Sequence, residues 1–171
     1  MTLEFDLVIV GAGSAGSIVA GMLAKNTNLT VLVLEAGGSD LRPDIKVPIG
    51  YGATFFNPKV NWCYWTAKQK NLNQREIYVP RGKVVGGSGS INAMVYLRGQ
   101  KTDFDDWESF GGPDLGWESV KKTYDYLEGL GSNTTKSLIS VSDVSDQHEP
   151  IVQKFFEAAG EIGFEKKQNI N

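Results

Sequence analysis

Phe5-Asp-Leu-Val-Ile-Val-Gly-Ala-Gly-Ser-Ala-Gly16 decides the fold. Its first half is short, apolar and β-branched, and ends in glycine, which reads as a buried parallel strand. From Ser14 to about Lys25, Ala15, Ile18, Val19, Met22 and Leu23 recur at one-face spacing and predict a helix. Asn26-Thr-Asn28 breaks that helix, and Thr30–Leu34 predicts a second strand ending at Glu35, nineteen residues past Gly16. Strand, glycine turn, helix, strand and acidic end together form the context that makes G-x-G-x-x-G a dinucleotide fingerprint. Gly11 permits the tight turn, Gly13 lets backbone approach a pyrophosphate, and Gly16 lets helix and strand pack. The N–H groups of Ser14 and Ala15 open the helix where an anion is favoured. Glu35, followed by Ala36, is placed to accept hydrogen bonds from ribose hydroxyls and to repel a 2′-phosphate. This loop by itself does not separate FAD from NAD, since both carry the same ADP moiety.

The bulk properties exclude several classes. With 171 residues, 41% hydrophobic and 22% charged, the chain is long enough for a real core and has ordinary globular composition. Its net charge is −3 with Lys and Arg scattered, so no basic patch speaks for nucleic acid. No apolar run approaches membrane-spanning length, and the acidic Glu4 and Asp6 do not suit a signal peptide. Cys63 is the only cysteine, which rules out an intrachain disulfide and makes a cytoplasmic location the expectation. His148 is the only histidine, in the polar run Asp146–Glu149, and reads as a surface residue. One His and one Cys give no metal site.

Beyond the first unit the texture changes. Prolines 43, 48 and 58 and glycines 50 and 52 predict a loop excursion over about residues 37–74. A short strand is expected at Arg75–Val79, and a helix from Ser90 through Asn92-Ala-Met94. Further helices are expected at Phe104–Phe110 and Trp117–Leu130, with Asp103, Asp105 and Asp106 charging the N-terminus of the former. Ser132–Ser145 reads as a linker with a strand at Leu138–Val141, and Pro150 opens a last amphipathic helix.

A second glycine-rich loop, Pro80-Arg-Gly-Lys-Val-Val-Gly-Gly-Ser-Gly-Ser-Ile-Asn-Ala-Met-Val-Tyr-Leu-Arg-Gly99, follows the first by about seventy residues. Gly86-Gly87 can take positive φ and present N–H groups to a phosphate or a ring. The run Gly86–Ser90 lacks the last glycine of a hydrolase nucleophile elbow and has no histidine partner. The loop resembles the signature of the glucose–methanol–choline (GMC) flavoprotein oxidoreductases. The match includes Arg81, Gly82, Lys83, Gly86, Gly87, Ser88, Asn92, Met94, Tyr96, Arg98 and Gly99. Asn61-Trp62, Tyr64, Thr66, Asp105, Trp107 and Gly116-Trp117 extend the resemblance, which runs from about Leu3 to Leu130.

The resemblance implies an α/β protein with a Rossmann-like FAD-binding βαβ fold, followed by the start of an α+β substrate-binding domain. On that reading residues 1–131 form the FAD domain, and 132–171 are a linker and the beginning of a truncated substrate domain. It implies flavin contacts from Trp62, Arg81, Val85, Gly86, Gly87 and Ser88, and a reactive-edge segment of Asn92, Ala93, Met94 and Val95. Members that attach the flavin covalently carry a histidine where this chain has Ile91, so FAD is expected to be noncovalent. A second departure is Gly89, where many relatives have serine. The implied reaction oxidises a CH–OH group of a small alcohol: a histidine takes the proton, hydride passes to flavin N5, and an electron acceptor not identified by sequence reoxidises it. That histidine is expected beyond residue 171, which leaves no catalytic residue in this chain and predicts that the chain alone is inactive. An NAD-dependent Rossmann dehydrogenase and a noncatalytic dinucleotide-binding module remain as alternatives.

Overall fold

The computed structural model describes residues 3–130, 138–142, 144 and 147–167. The chain divides into two compact units, residues 1–95 and 96–171; the described strands all lie in the first, and the described elements of the second are helical. The boundary expected at residues 131 and 132 falls in the stretch 131–137, outside the described residues.

The first unit opens with β1 (Leu7–Val10), α1 (Ser14–Asn26) and β2 (Val31–Leu34). The two strands are parallel, in register from Leu7 opposite Val31 to Val10 opposite Leu34. Each is slightly shorter than its apolar run. At the entry, Asp6 accepts hydrogen bonds from the Thr30 N–H and hydroxyl, both at 2.7 Å, so a side chain takes over from the ladder. Those bonds, the hydroxyl's first, hold the Asp6 carboxyl below its ordinary range. α1 stops at Thr27, whose N–H and hydroxyl both return to the Leu23 carbonyl.

The predicted excursion is a string of short pieces: α2 (Pro43–Lys46), a 3₁₀ turn at Pro48–Gly50, α3 (Tyr51–Thr54) and β3 (Tyr64–Trp65). β3 pairs antiparallel with β4 (Tyr78–Val79), which is the last part of the strand expected at Arg75–Val79. The connection turns through Asn73 and Gln74, with φ of 55° and 60°. Arg75 still bridges Gln69, but the Ile77 N–H goes to the Thr66 hydroxyl at 3.0 Å rather than to a backbone carbonyl, which interrupts the ladder before β4. The helix expected from Ser90 does not form. A single 3₁₀ turn spans Gly87–Ser90, and residues 91–100 are irregular. The cause is local competition: the Asn92 carboxamide accepts the Met94 N–H at 2.8 Å, and Met94 takes φ 59°, outside the helical region.

The packed centre of this unit lies beneath the second loop rather than beneath the βαβ segment. Val60, Val84 and Ile91 are buried together, with Ile45 against them and Thr54 and Asn61 buried beside them.

The second unit holds α4 (Lys101–Gly111), α5 (Trp117–Leu127) and α6 (Pro150–Glu161). α4 starts with a capping box between Gln100 and Asp103 and stops where Gly112 takes φ 89°. Asp103 thus has the capping role expected of the acidic cluster, while Asp105 pairs with Lys101. Phe104 is buried against Trp107, Trp117 and Tyr124, at ring separations of 5.5, 5.8 and 6.3 Å. The strand expected at Leu138–Val141 is absent, because the N–H groups of Leu138 and Ile139 both turn back to the Leu127 carbonyl beyond the end of α5. Among the described residues, no helix is long and apolar enough to cross a membrane.

Candidate functional site

The two glycine loops, far apart in sequence, meet inside the first unit. The Gly86 N–H donates to the Ala12 carbonyl at 2.7 Å, and Gly13 and Gly86 pair as a parallel bridge. Alongside, Val85 N–H donates to Gly38 at 3.0 Å, and Gly38 bridges Val84. The approach is too close for side chains. A Cβ on Gly87 would lie 2.8 Å from the Gly13 Cα, and one on Gly16 would lie 2.0 Å from the Gly11 carbonyl oxygen.

Between the loops lies a cleft of about 740 Å³, a size that suits a cofactor. One wall is Gly11, Gly13, Ser14, Ala15, Gly16, Glu35 and Ala36. The other includes Trp62, Arg81, Gly87 and Ser88. Eleven of the expected contact residues therefore share one cavity. Val10, Leu34 and Gly82 also line it and were not expected. Leu34 and Val10 close the strand ends and carry no polar signature, and Gly82 had been read only as part of the loop pattern.

The chemistry of the cleft suits an anion at one end. α1 begins at Ser14 with Gly13 as its cap residue and no capping side chain, so its first N–H groups are left for a ligand. Gly13 has φ −76°, which any residue can adopt, and a Cβ there would meet only the Gly87 Cα at 3.8 Å. The protein has no need of glycine at this position, and the open space is a cradle a side chain would fill. Glu35 projects back on the loop: its carboxylate accepts the Ala12 N–H at 2.8 Å and the Gly37 N–H at 2.9 Å. It thereby fixes the first turn, and its remaining lone pairs stay available to a diol.

On the opposite wall Trp62 stacks on Tyr64, with centroids 5.8 Å apart and planes 7° apart, and the Lys83 ammonium lies 4.8 Å from the Trp62 ring centroid. The Ser88 hydroxyl accepts the Gly82 N–H at 3.1 Å. Behind this wall Asn61 is 1% exposed, and sequence reasoning had used it only as a family match. An asparagine between apolar Val60 and Trp62 was the available signal, because a polar residue there must find partners once buried.

The expected reactive-edge residues lie elsewhere. Asn92 and Met94 line a second cavity of about 290 Å³, with Asp40, Asp44, Lys46, Tyr51 and Ser90 among its neighbours. Hydrogen bonds from Lys46 and Arg42 hold Asp40 and Asp44 respectively below the usual carboxylate range. Val85, Gly86, Ala93 and Val95 line neither cavity. Gly86 instead makes the loop-to-loop bond, and Val95 is 73% exposed. His148 is exposed, ahead of α6 in the second unit. Arg98, named in the sequence only as part of the loop resemblance, belongs to a polar cluster of that unit: it donates to Glu128 at 2.8 Å and to Asp125 at 3.2 Å, with its side chain 9% exposed.

Comparison with known proteins places the chain in a family. The family model described as GMC oxidoreductase matches residues 5–171. The chain is 39% identical to an alcohol dehydrogenase [acceptor] of Pseudomonas putida, covering 98% of this chain and 30% of that protein. It is 37% identical to an oxygen-dependent choline dehydrogenase of Rhizobium rhizogenes, covering 99% and 32%. Among solved structures, pyridoxine 4-oxidase from Mesorbium loti superposes with a TM-score of 0.80 at 30% identity, over 96% of this chain and 33% of that one. The chain thus spans about a third of the length of the relatives it matches.

Proposed function

The chain belongs to the GMC oxidoreductase family of FAD-dependent flavoproteins, and from that membership we propose that it holds the FAD of an oxidoreductase acting on the CH–OH group of an alcohol. One observation carries the reading: the two glycine loops bond to each other, Gly86 to Ala12, and leave a cofactor-sized cleft at an uncapped helix N-terminus. A Rossmann-like reading of the βαβ segment rests on the parallel pairing of β1 and β2 around α1.

In this reading the N–H groups at the start of α1 hold the diphosphate, and the absent side chain of Gly13 admits it. Glu35 receives the ribose hydroxyls while keeping the first turn closed. Trp62, Arg81, Gly87 and Ser88 form the opposing wall. When bound, FAD supplies the hydride acceptor at its N5. Asn92, Ala93, Met94 and Val95 are assigned to the flavin's reactive edge, and the cavity that Asn92 and Met94 share with Tyr51 is a candidate approach for the alcohol. Attachment is noncovalent, a reading supported by Ile91, an aliphatic side chain packed with Val60 and Val84. The general base is proposed to come from outside these 171 residues. His148 is the sequence's only imidazole, and Glu35 already accepts two backbone N–H groups.

The test is spectroscopic. The protein purified with its cofactor should be yellow, and acid precipitation should release all flavin to the supernatant. A colourless protein that takes up NAD instead would overturn the flavin assignment, and flavin in the pellet would overturn the noncovalent one.

A further inference from the structure

Asn61 is 1% exposed and sits directly behind the cleft without lining it. Its carboxamide joins three segments. The Oδ1 accepts the Arg81 N–H at 2.9 Å and the Cys63 N–H at 2.9 Å. The Nδ2 donates to the Phe55 carbonyl at 2.8 Å and reaches toward that of Thr54 at 3.5 Å. The bond to Cys63 closes a side-chain turn that lets this non-glycine residue hold φ 53°. Main-chain pairing continues the clamp: Trp62 N–H to Arg81 O at 2.8 Å, Lys83 N–H to Val60 O at 2.8 Å, and Asn61 bridged to Gly82. From Gly82 the connection passes to Ser88, whose hydroxyl accepts the Gly82 N–H, and a Cβ on Gly82 would lie 2.1 Å from the Gly87 carbonyl carbon. The carboxamide and these backbone pairs together tie the outer wall of the cleft to the 54–55 segment.

We infer that Asn61 is a positioning residue for the cofactor: it sets the distance of the Trp62–Arg81–Ser88 wall from the glycine turn of Gly11–Gly16. This rests on the FAD reading above. The position demands an acceptor facing residues 63 and 81 and a donor facing residue 55, and an amide supplies both at every pH. A carboxylate would keep the acceptor side and set a lone pair against the Phe55 carbonyl. A protonated carboxyl would restore one donor.

That difference supplies the test. Asn61→Asp and the wild-type protein are titrated with FAD, following flavin fluorescence, across about pH 5.5 to 8, a range a buried carboxyl crosses between its two forms. Far-UV circular dichroism is recorded on the same samples. The groups around the carboxamide are the Cys63 thiol, the cationic Arg81 and Lys83 on the paired segment, and the Tyr78 hydroxyl, which donates to the same Phe55 carbonyl at 2.6 Å. Burial pushes Tyr78 up to about 12, so it stays a donor throughout. The expected result is an affinity for FAD about tenfold or more weaker than wild type at the alkaline end, with secondary structure kept, recovering toward wild type at the acid end. The wild-type ratio between the two ends is the reference. Asn61→Leu, which keeps the branched shape and lacks both functions, should be weak at every pH. Equal affinity in Asn61→Asp and wild type at all pH would overturn the inference and leave the FAD reading intact. Loss of flavin and secondary structure together would reduce Asn61 to a folding role and also overturn it. Failure of the wild type to bind FAD would overturn both.

Discussion

The junction of the two glycine loops and the βαβ segment beside it were built from opposite materials. The βαβ segment is rich in apolar residues, yet it leaves them open: Val8 is 51% exposed, Val10 85% and Ile18 55%. The junction is made of glycines and a serine, and around it lie the buried residues Val60, Val84, Ile91, Thr54 and Asn61. Apolar periodicity marks where helix and strands form, whereas close backbone approach and satisfied polar groups bring the two loops to one cleft. Contact between backbones at Gly13 and Gly87 holds the site's shape, and no large side chain could do so.

The strongest test of that contrast is Gly87→Val. It places a branched side chain against the Gly13 Cα, at a residue with φ 60°, and should cost about 4 kcal/mol in urea unfolding, with loss of flavin. A stable, flavin-binding variant would mean that the loops do not need to touch. The second unit offers the polar counterpart. Arg98→Met leaves Glu128 and Asp125 without their guanidinium and should cost about 2–3 kcal/mol. The Arg98 hydrogen bond first, helped by one from Tyr96, holds the Glu128 carboxyl below its ordinary 4.5. A depressed carboxyl contributes stability above its unfolded value, and that contribution is lost as pH falls through the folded value. Wild-type stability should therefore decline below about pH 4.5, and the decline should be shallower in Arg98→Met. Glu35→Ala is smaller. It frees the Ala12 and Gly37 N–H groups and should lower stability of the cofactor-free protein by about 1–2 kcal/mol. A change confined to the FAD-bound form would show that Glu35 serves the ribose alone.

The parts of this architecture that rest on periodic side chains were readable in advance. α1 was expected at Ser14–Lys25 and ends one residue later, and the last helix opens at Pro150 as its proline implies. Where a side chain competes for the backbone, the reading failed. Asn92 captured the Met94 N–H and removed a helix, and Leu127 captured Leu138 and Ile139 and removed a strand. The cleft was legible because glycines at fixed offsets announce close approach. Asn61 was legible only as a polar residue between Val60 and Trp62; its four partners lie in three separate segments, which no local pattern records.

The central claim, that FAD lies against Gly13 in the cleft between the loops, is tested most directly by Gly13→Ala. The backbone there is ordinary and the added Cβ meets nothing nearer than 3.8 Å, so the cofactor-free protein should keep its stability to within about 1 kcal/mol. FAD affinity measured by fluorescence titration should nonetheless fall by about tenfold or more, because the methyl occupies the space proposed for the pyrophosphate. Wild-type affinity in Gly13→Ala would contradict the account, since it would place the cofactor somewhere other than against the first glycine loop.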